Sequence, residues 1–565
     1  VVNVAIHLLA GVALFGIVRR TLRRLGYADA VGVAWLAAAL WTVHPIQTES
    51  VTYMVQRAES LMGLFYLLAL YGLIRSREET ARTPLAWMAV SWTACLLGMA
   101  SKEVMASAPV MLFAYDAIFL AGSPRAAWTA RWRYYGALAL TWLPLAWFVV
   151  STGGNRGGTS GFGLGVSLWQ YLLTQCVAIL HYLRLALWPR PLVFYYEVHW
   201  YNAAEVIPQG LGVVALLVLG AVLLWRKPKW GFLVLWFLAI LAPTSLVPGI
   251  SQTIAEHRMY LALAPLMVAL VLGVRAAVRR LGIPPVGTSA VLVPVALLFC
   301  AMTIARNTVY ATEVGLWSDT VAKAPGNPYS RNNLGVALST AGRKSEAVDA
   351  FRGALAIDPA YASARDNLGL ALDESGRPKE AVEEYQRAVA TDPKLEEVRI
   401  NMGIALLHIG QRLEAIRQFE KATELAPSDP NAFNDLAGAE ITVGRVPAAI
   451  AHFRRAVALD SGNGQGWANL GNVLARAGQW PDALAAYQKA VTLMPLSADV
   501  LSNLGAAYAS VGRFPEAVGA YRSALAFTPN DPDVHENLAQ ALGQLGRADD
   551  ARSEHLTAER LRSVP

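Results

Sequence analysis

Acidic residues are scarce in the first half of this chain, and those present cluster. Residues 1–305 hold only 10 Asp/Glu, and five of these, Glu49, Glu59, Glu103, Asp116 and Glu256, sit at the ends of apolar runs or inside one. Ionisable groups in such surroundings are costly unless they are paired or face a wet cavity, so each is a functional candidate. The first cluster runs from His44-Pro45-Ile46-Gln47-Thr48-Glu49 to Arg57-Ala58-Glu59. There Glu49 and Glu59 would hold Arg57 and shape a pocket at a lipid–water boundary. The plain alternative is that Pro45 breaks a helix and the charges solvate a turn. The second cluster, Ser101-Lys102-Glu103, is a tight polar turn in which Lys102 would meet a lipid phosphate or make a local ion pair. The third is Glu256-His257-Arg258, where Glu256 would orient Arg258. The planar fork of an arginine suits phosphate through paired charge-assisted hydrogen bonds, whereas an arginine that merely snorkels needs no ligand. The chemistry these residue types share is recognition of a phosphate at an apolar surface.

Other polar residues read differently. Asn3, His7 and His181 lie within apolar stretches and are expected to hydrogen-bond between helices. No His/Glu spacing places a zinc ligand set on one helix face, and Gly153-Gly154-Asn155-Arg156-Gly157-Gly158 lacks the Lys-Ser/Thr end of a phosphate-binding loop. No metal and no cofactor are expected.

The elements that carry these clusters are apolar helices. The 565 residues are 55% hydrophobic, which fits a polytopic membrane protein with a soluble portion. Candidate spans are 1–18, 28–43, 60–74, 84–100, 104–121, 134–151, 206–225, 230–247, 259–276 and 287–305. Of the 22 Lys/Arg in residues 1–305, sixteen follow alternate spans: Arg19 to Arg24, Arg75 to Arg82, Arg125 to Arg133, Arg226 to Lys229 and Arg275 to Arg280. Those loops are expected in the cytoplasm. Loops 44–59, 101–103, 152–205 and 248–258, and everything after the tenth span, then face outward. Residues 167–188 are apolar enough to cross, but one crossing would invert every later loop. They read instead as a re-entrant or interfacial helix, with Trp169, Tyr171, Tyr182 and Trp188 at the boundary. Asp116 falls near the cytoplasmic end of its span and is no substitute for an outward acid. The net charge of +7 divides into +12 over residues 1–305 and −5 over residues 306–565, so the basic excess sets orientation and does not point to nucleic acid. Cys95, Cys176 and Cys300 all lie in apolar stretches and imply no disulfide framework.

The second half repeats every 34 residues: Asn333-Leu334-Gly335, Asn367-Leu368-Gly369, Asn401-Met402-Gly403, Asp435-Leu436-Ala437, Asn469-Leu470-Gly471, Asn503-Leu504-Gly505 and Asn537-Leu538-Ala539. That period predicts a tetratricopeptide-repeat (TPR) solenoid of stacked helix pairs. A turn glycine recurs from Gly342 to Gly546, and these glycines are structural. Trp317 to Pro325 reads as a leading half-unit, and Leu556 to Pro565 as a polar cap. Asn333, Asn367, Asn401, Asn469, Asn503 and Asn537 occupy one helical position and would line the inner face. There they would bind an extended peptide backbone, since an amide both donates and accepts, or bond from repeat to repeat. Asp435 interrupts the row. The resulting all-α organisation is a polytopic membrane domain at 1–308, a connector with a half-repeat at 309–327, and about seven repeats with a cap at 328–565.

His44-Pro45 with Glu49, Arg57-Ala58-Glu59, Ser101-Lys102-Glu103, Asp116, Tyr182-Leu183-Arg184 with Leu187-Trp188-Pro189, and Glu256-His257-Arg258 with Tyr260-Leu261 resemble the transmembrane and tetratricopeptide-repeat-containing protein O-mannosyltransferases and their bacterial relatives. The resemblance covers nearly the whole chain, including the order of body then repeats. It implies a C-type glycosyltransferase fold in a bacterial inner membrane, with the repeats on the extracytoplasmic side. It further implies transfer of a mannose-like sugar from a polyprenyl-phosphate donor to Ser/Thr of proteins held by the array. The family's catalytic acid lies in the first outward loop. Val1 already stands inside an apolar helix, so that acid and the first span are expected before it.

A hydroxyl nucleophile needs a base, and the departing lipid phosphate gains charge that Arg57, Lys102 or Arg258 would stabilise. The other pocket candidates are His44, Glu49, Glu59, Glu103, Glu256 and His257. Two other readings compete: a non-enzymatic membrane scaffold whose repeats recruit envelope or secretion proteins, and a glycosyltransferase acting on a lipid or polysaccharide.

Overall fold

The computed structural model describes residues 2–78, 82–151, 165–249 and 252–563, apart from the Met54 side chain. The glycine-rich stretch 153–158 lies outside the described residues. Two compact units divide between Ala337 and Leu338, inside the helix Pro328–Thr340. The connector at 309–327 falls in the first unit. Its helix Glu313–Lys323 is tied there by Arg306 Nη1 donating to Asp319 Oδ2 at 2.6 Å and by Lys323 Nζ donating to the Leu192 carbonyl at 3.0 Å.

Among the described residues of the first unit, nine helices are long and apolar enough to cross a membrane, or ten if a bent pair counts as one span. That pair, Ala30–Val43 and Pro45–Thr52, bends by 51°. The cause is Pro45, which cannot donate into the helix and forces the preceding residue out of the helical region. His44 accordingly sits at φ −66°, ψ 129°. The break lifts Glu49 off the helix axis and turns it toward the helix that begins at Met259.

Two sequence expectations need correction or sharpening. Arg125, Arg131 and Arg133 do not lie in a loop; they are carried by the helix Pro124–Leu140, which kinks at Arg131. The kink lets Arg131 Nη1 reach the fully buried Asp116 Oδ2 at 2.6 Å, while the Tyr135 hydroxyl donates to the same oxygen. The helix Leu168–Leu187 is about 30 Å long. Near its start the Tyr171 hydroxyl donates to the Thr244 carbonyl at 2.6 Å, and near its end Ala186 O accepts from His44 Nε2 at 3.2 Å. Thr244 and His44 both stand where apolar helices end away from the basic residues. The helix therefore lies along that end of the bundle and does not run through it.

The helices Arg57–Arg75 and Met259–Arg280 meet at Gly63. A Cβ there would fall 2.4 Å from Tyr260 Cε1, so only glycine admits the ring. Tyr260 in turn hydrogen-bonds His7 Nδ1 at 2.9 Å, and His7 Nε2 meets the Thr42 carbonyl at 2.9 Å. His7 thus bonds between helices, whereas His181 meets the Tyr196 hydroxyl at 3.2 Å in the irregular segment after its own helix, not a second helix as expected. The three cysteines are free.

In the second unit, antiparallel helix pairs follow one another from Lys344–Ile357 to Ala548–Ser563. Each pair turns at a glycine with φ between +71° and +80°, from Gly342 to Gly546, a region that costs other residues energy. The glycine of the Asn-Leu-Gly triplet has a different task. A Cβ at Gly369, Gly403, Gly471 or Gly505 would lie 2.5–2.7 Å from the ring of Tyr385, Phe419, Tyr487 or Tyr521. The aromatic residue of the second helix fills the space the missing side chain leaves, and this contact holds each pair together. The last helix buries only Ala558 among its described residues, as a capping helix does.

Candidate functional site

The helices Arg57–Arg75 and Met259–Arg280 both run from the polar clusters to a basic end, so one end of the first unit collects all three clusters. Its centre is Glu49, which is 1% exposed. One carboxylate oxygen accepts the His257 backbone N–H at 3.0 Å and the other accepts from His257 Nδ1 at 2.6 Å. A carboxylate only accepts, so Nδ1 carries the hydrogen. His257 Nε2 has no partner among the described residues. Such a pair fixes the ring's orientation.

The neighbouring groups pair otherwise than the sequence suggested. Glu49 and Glu59 do not hold Arg57: Glu59, also 1% exposed, forms an ion pair with Lys102, and Arg57 Nε donates to Asn3 Oδ1 at 3.0 Å. Lys102 is therefore the local ion pair and not a free phosphate ligand. Glu256 does not orient Arg258. It accepts from the Val193 backbone N–H and from the Tyr196 hydroxyl, the latter at 2.9 Å. Arg258 Nη2 donates to the Gln252 carbonyl at 2.8 Å and Nη1 to the Thr253 carbonyl at 3.2 Å. The Tyr171 and Tyr182 hydroxyls and the Glu103 carboxylate surround its charge. Arg258 thus clamps the segment that delivers His257. His44 is fully buried with both nitrogens engaged: the Ile46 N–H donates to Nδ1 at 3.2 Å, so Nε2 carries the hydrogen given to Ala186 O. Its role is to cap the turn that places Glu49.

One residue of this cluster escaped sequence reasoning. Arg306, near the end of the last apolar helix, has a side chain only 5% exposed. Its Nη1 is paired with Asp319, but Nε and Nη2 have no hydrogen-bond partner among the described residues. A buried guanidinium with two unmatched donors is costly unless a ligand or water meets them. Arg306 lines a groove of about 630 Å³ with Trp188, Arg190, Leu192 and Lys323. Its charge acts on Glu256 and, with Glu49, on Tyr310. The only sequence signal for it was an arginine at a span end followed by an acid thirteen residues on. Among the described residues no three His, Cys, Asp or Glu side chains converge as a metal site.

In the repeats the ladder amides are partly spent on one another. Asn401 Nδ2 donates to Asp366 Oδ1 at 3.0 Å, Asn469 Nδ2 to Asn434 Oδ1 at 3.0 Å, and Asn503 Nδ2 to Asn472 Oδ1 at 3.3 Å. Asn333, in the first unit, donates to the Tyr329 carbonyl at 2.8 Å; Asn367 also has a partner, and Asn537 is half-buried. Repeat-to-repeat bonding thus occurs along the row. Beside it a groove of about 390 Å³ is lined by Asn434, Asp435, Asn469, Asn472 and Arg476.

The tetratricopeptide repeat family model matches residues 315–362, 332–396, 400–464, 469–532 and 507–563. The second half is therefore a TPR array, a scaffold for binding proteins or peptides. A crystal structure of MamA protein is 25% identical, with 30% of this chain and 92% of that one covered and a TM-score of 0.29. Pseudomonas aeruginosa pilF is 21% identical over 38% of this chain and 97% of its own, at a TM-score of 0.34. YrrB, described as a TPR protein with an unusual peptide-binding site, is 22% identical over 32% and 94%, at 0.30. The comparison with curated proteins gave no match.

Proposed function

We propose that the first unit is a glycosyltransferase of the bacterial inner membrane that moves a mannose-like sugar from a polyprenyl-phosphate donor to Ser/Thr hydroxyls, and that the repeats recruit the acceptor proteins on the extracytoplasmic side. The observation that carries this reading is the buried Arg306 with two unmatched donors, at the same end of the bundle as the Glu49–His257 pair. A donor lipid keeps its tail in the bilayer and its phosphate at the interface, where these groups would lie. The acceptor oxygen bonds to the anomeric carbon, the bond from that carbon to the phosphate oxygen breaks, and the electron pair leaves with the polyprenyl phosphate. The hydroxyl proton goes to a carboxylate base, which the family resemblance puts in the first outward loop. Arg306 and the Nε2–H of a His257 imidazolium, held by Glu49 through Nδ1, stabilise the phosphate as its charge grows, the role that the sequence suggests for Arg57, Lys102 or Arg258. The donor is already activated, so no nucleotide cofactor is needed.

The test is transfer in membranes from cells expressing the full-length protein, given a polyprenyl-phosphate sugar and an acceptor protein. Arg306→Ala should abolish transfer while a variant of the exposed Arg343 retains it. Wild-type turnover of Arg306→Ala removes this residue from the site, and no transfer by the wild-type protein with any such donor defeats the reading.

A further inference from the structure

At the opposite end of the first unit, near the basic loops, a cleft of about 440 Å³ opens between the helices Val2–Arg24, Pro228–Leu246 and Met259–Arg280. Its walls are aliphatic and aromatic, with Leu14, Ile17, Phe232, Leu233 and Val268 among them. The polar atoms on its floor are already matched. Thr21 Oγ1 donates to the Ile17 carbonyl at 2.8 Å, and the Tyr115 hydroxyl bonds Thr21 Oγ1 at 2.5 Å. The mouth is different: Lys227 and Lys229 line it, both are exposed, and neither has an ion-pair partner among the described residues. Tyr27 and Trp230 stand beside them, residue types that favour a lipid headgroup level.

An apolar slot under two unpaired ammonium groups matches an amphiphile with a negative head. A flexible acyl chain can fill such a slot along its length. Basic pockets between spans on the cytoplasmic side bind anionic headgroups. We propose that this cleft holds one anionic phospholipid of the inner leaflet, its phosphate between Lys227 and Lys229 and one acyl chain against Leu14, Phe232 and Val268. The site lies apart from the Glu49–His257 cluster, and its occupancy does not depend on sugar transfer.

The full-length protein, purified in mild detergent and stripped by washing, is exposed to mixed micelles containing equal phosphatidylglycerol and phosphatidylcholine. Bound lipid is then counted by native mass spectrometry. The expected result is one retained phosphatidylglycerol per chain. Lys227→Gln/Lys229→Gln, on exposed positions, should lower the preference for phosphatidylglycerol about tenfold or more, and Val268→Trp should remove both lipids. Equal retention of the two lipids, or an unchanged preference in the double lysine variant, overturns the proposal. So does a photo-crosslinker at Leu233 that attaches to polypeptide, from a second copy or another part of the chain, and not to lipid. If Val268→Trp fails to fold, the lysine variant still decides.

Discussion

Replacing Glu49 by glutamine separates what this residue does for the fold from what it does for chemistry. The glutamine oxygen can still accept the His257 backbone N–H, now 3.0 Å from the carboxylate. Its amide nitrogen, however, can only donate to Nδ1, where the wild-type oxygen accepts at 2.6 Å. Both contacts survive, so stability should change by no more than about 1 kcal/mol, the scale of one neutral hydrogen bond. The ring is nevertheless forced into the other tautomer, with hydrogen on Nε2, and a protonated imidazole loses its counter-charge. Nε2 then still donates, but from a neutral ring, and the difference between a charged and a neutral donor, about 1–1.5 kcal/mol, predicts about a tenfold loss in kcat. Glu49→Ala behaves differently. It strands two buried donors at about 1–3 kcal/mol each, so it should lose stability as well as activity. The assay is transfer from a polyprenyl-phosphate sugar, measured as kcat and KM, beside thermal unfolding in detergent. A Glu49→Gln protein that turns over within about threefold of wild type, or that melts as early as Glu49→Ala, refutes the reasoning.

Other predictions concern pairing and packing. Lys102→Ala leaves the Glu59 carboxylate, 1% exposed, without its partner and should cost about 3–5 kcal/mol in thermal unfolding, whereas Lys102→Met with Glu59→Gln should recover most of it. Gly403→Ala puts a Cβ 2.6 Å from the Phe419 ring and should cost about 1–3 kcal/mol, with partial rescue by Phe419→Leu. Burial raises the Asp435 carboxyl pKa above its ordinary value, partly opposed by the Asn434 hydrogen bond. The ionised form is thus the less stable one in the fold: the contribution is full below the ordinary Asp value of about 3.9 and is lost as pH rises through the folded value. Asp435→Asn should therefore stabilise the protein at pH 7 and lose that advantage near pH 3, as read by chemical denaturation at the two pH values.

Local rules made much of the architecture legible. The 34-residue period and the turn glycines follow from spacing, and each appears where sequence places it, as with Gly410 at φ +79°. Pro45 announced the break after Val43. Pairing of charges was not legible, because it depends on residues far apart in the chain. Glu49 finds His257 across 208 positions, and no local pattern says that Glu59 takes Lys102 and leaves Arg57 to Asn3. Arg131 looked like a loop residue because charges mark loops on average; its burial against Asp116 required the kink. Arg306 looked like one more arginine at a span end, and only the packing around it exposes the two unmatched donors. The asparagines share one position of the repeat, but spacing does not say that amide donors at Asn401, Asn469 and Asn503 point to the preceding repeat.

The central claim is that sugar reaches protein hydroxyls through the Arg306 and His257 end of the first unit. It is tested most directly by mass spectrometry of Ser/Thr glycopeptides from cells lacking the full-length gene and complemented with wild type or Arg306→Ala. The account predicts a defined set of O-linked glycopeptides that is lost on deletion, restored by wild type and not restored by Arg306→Ala at equal protein level. An unchanged glycopeptide set on deletion, or full restoration by Arg306→Ala, contradicts it.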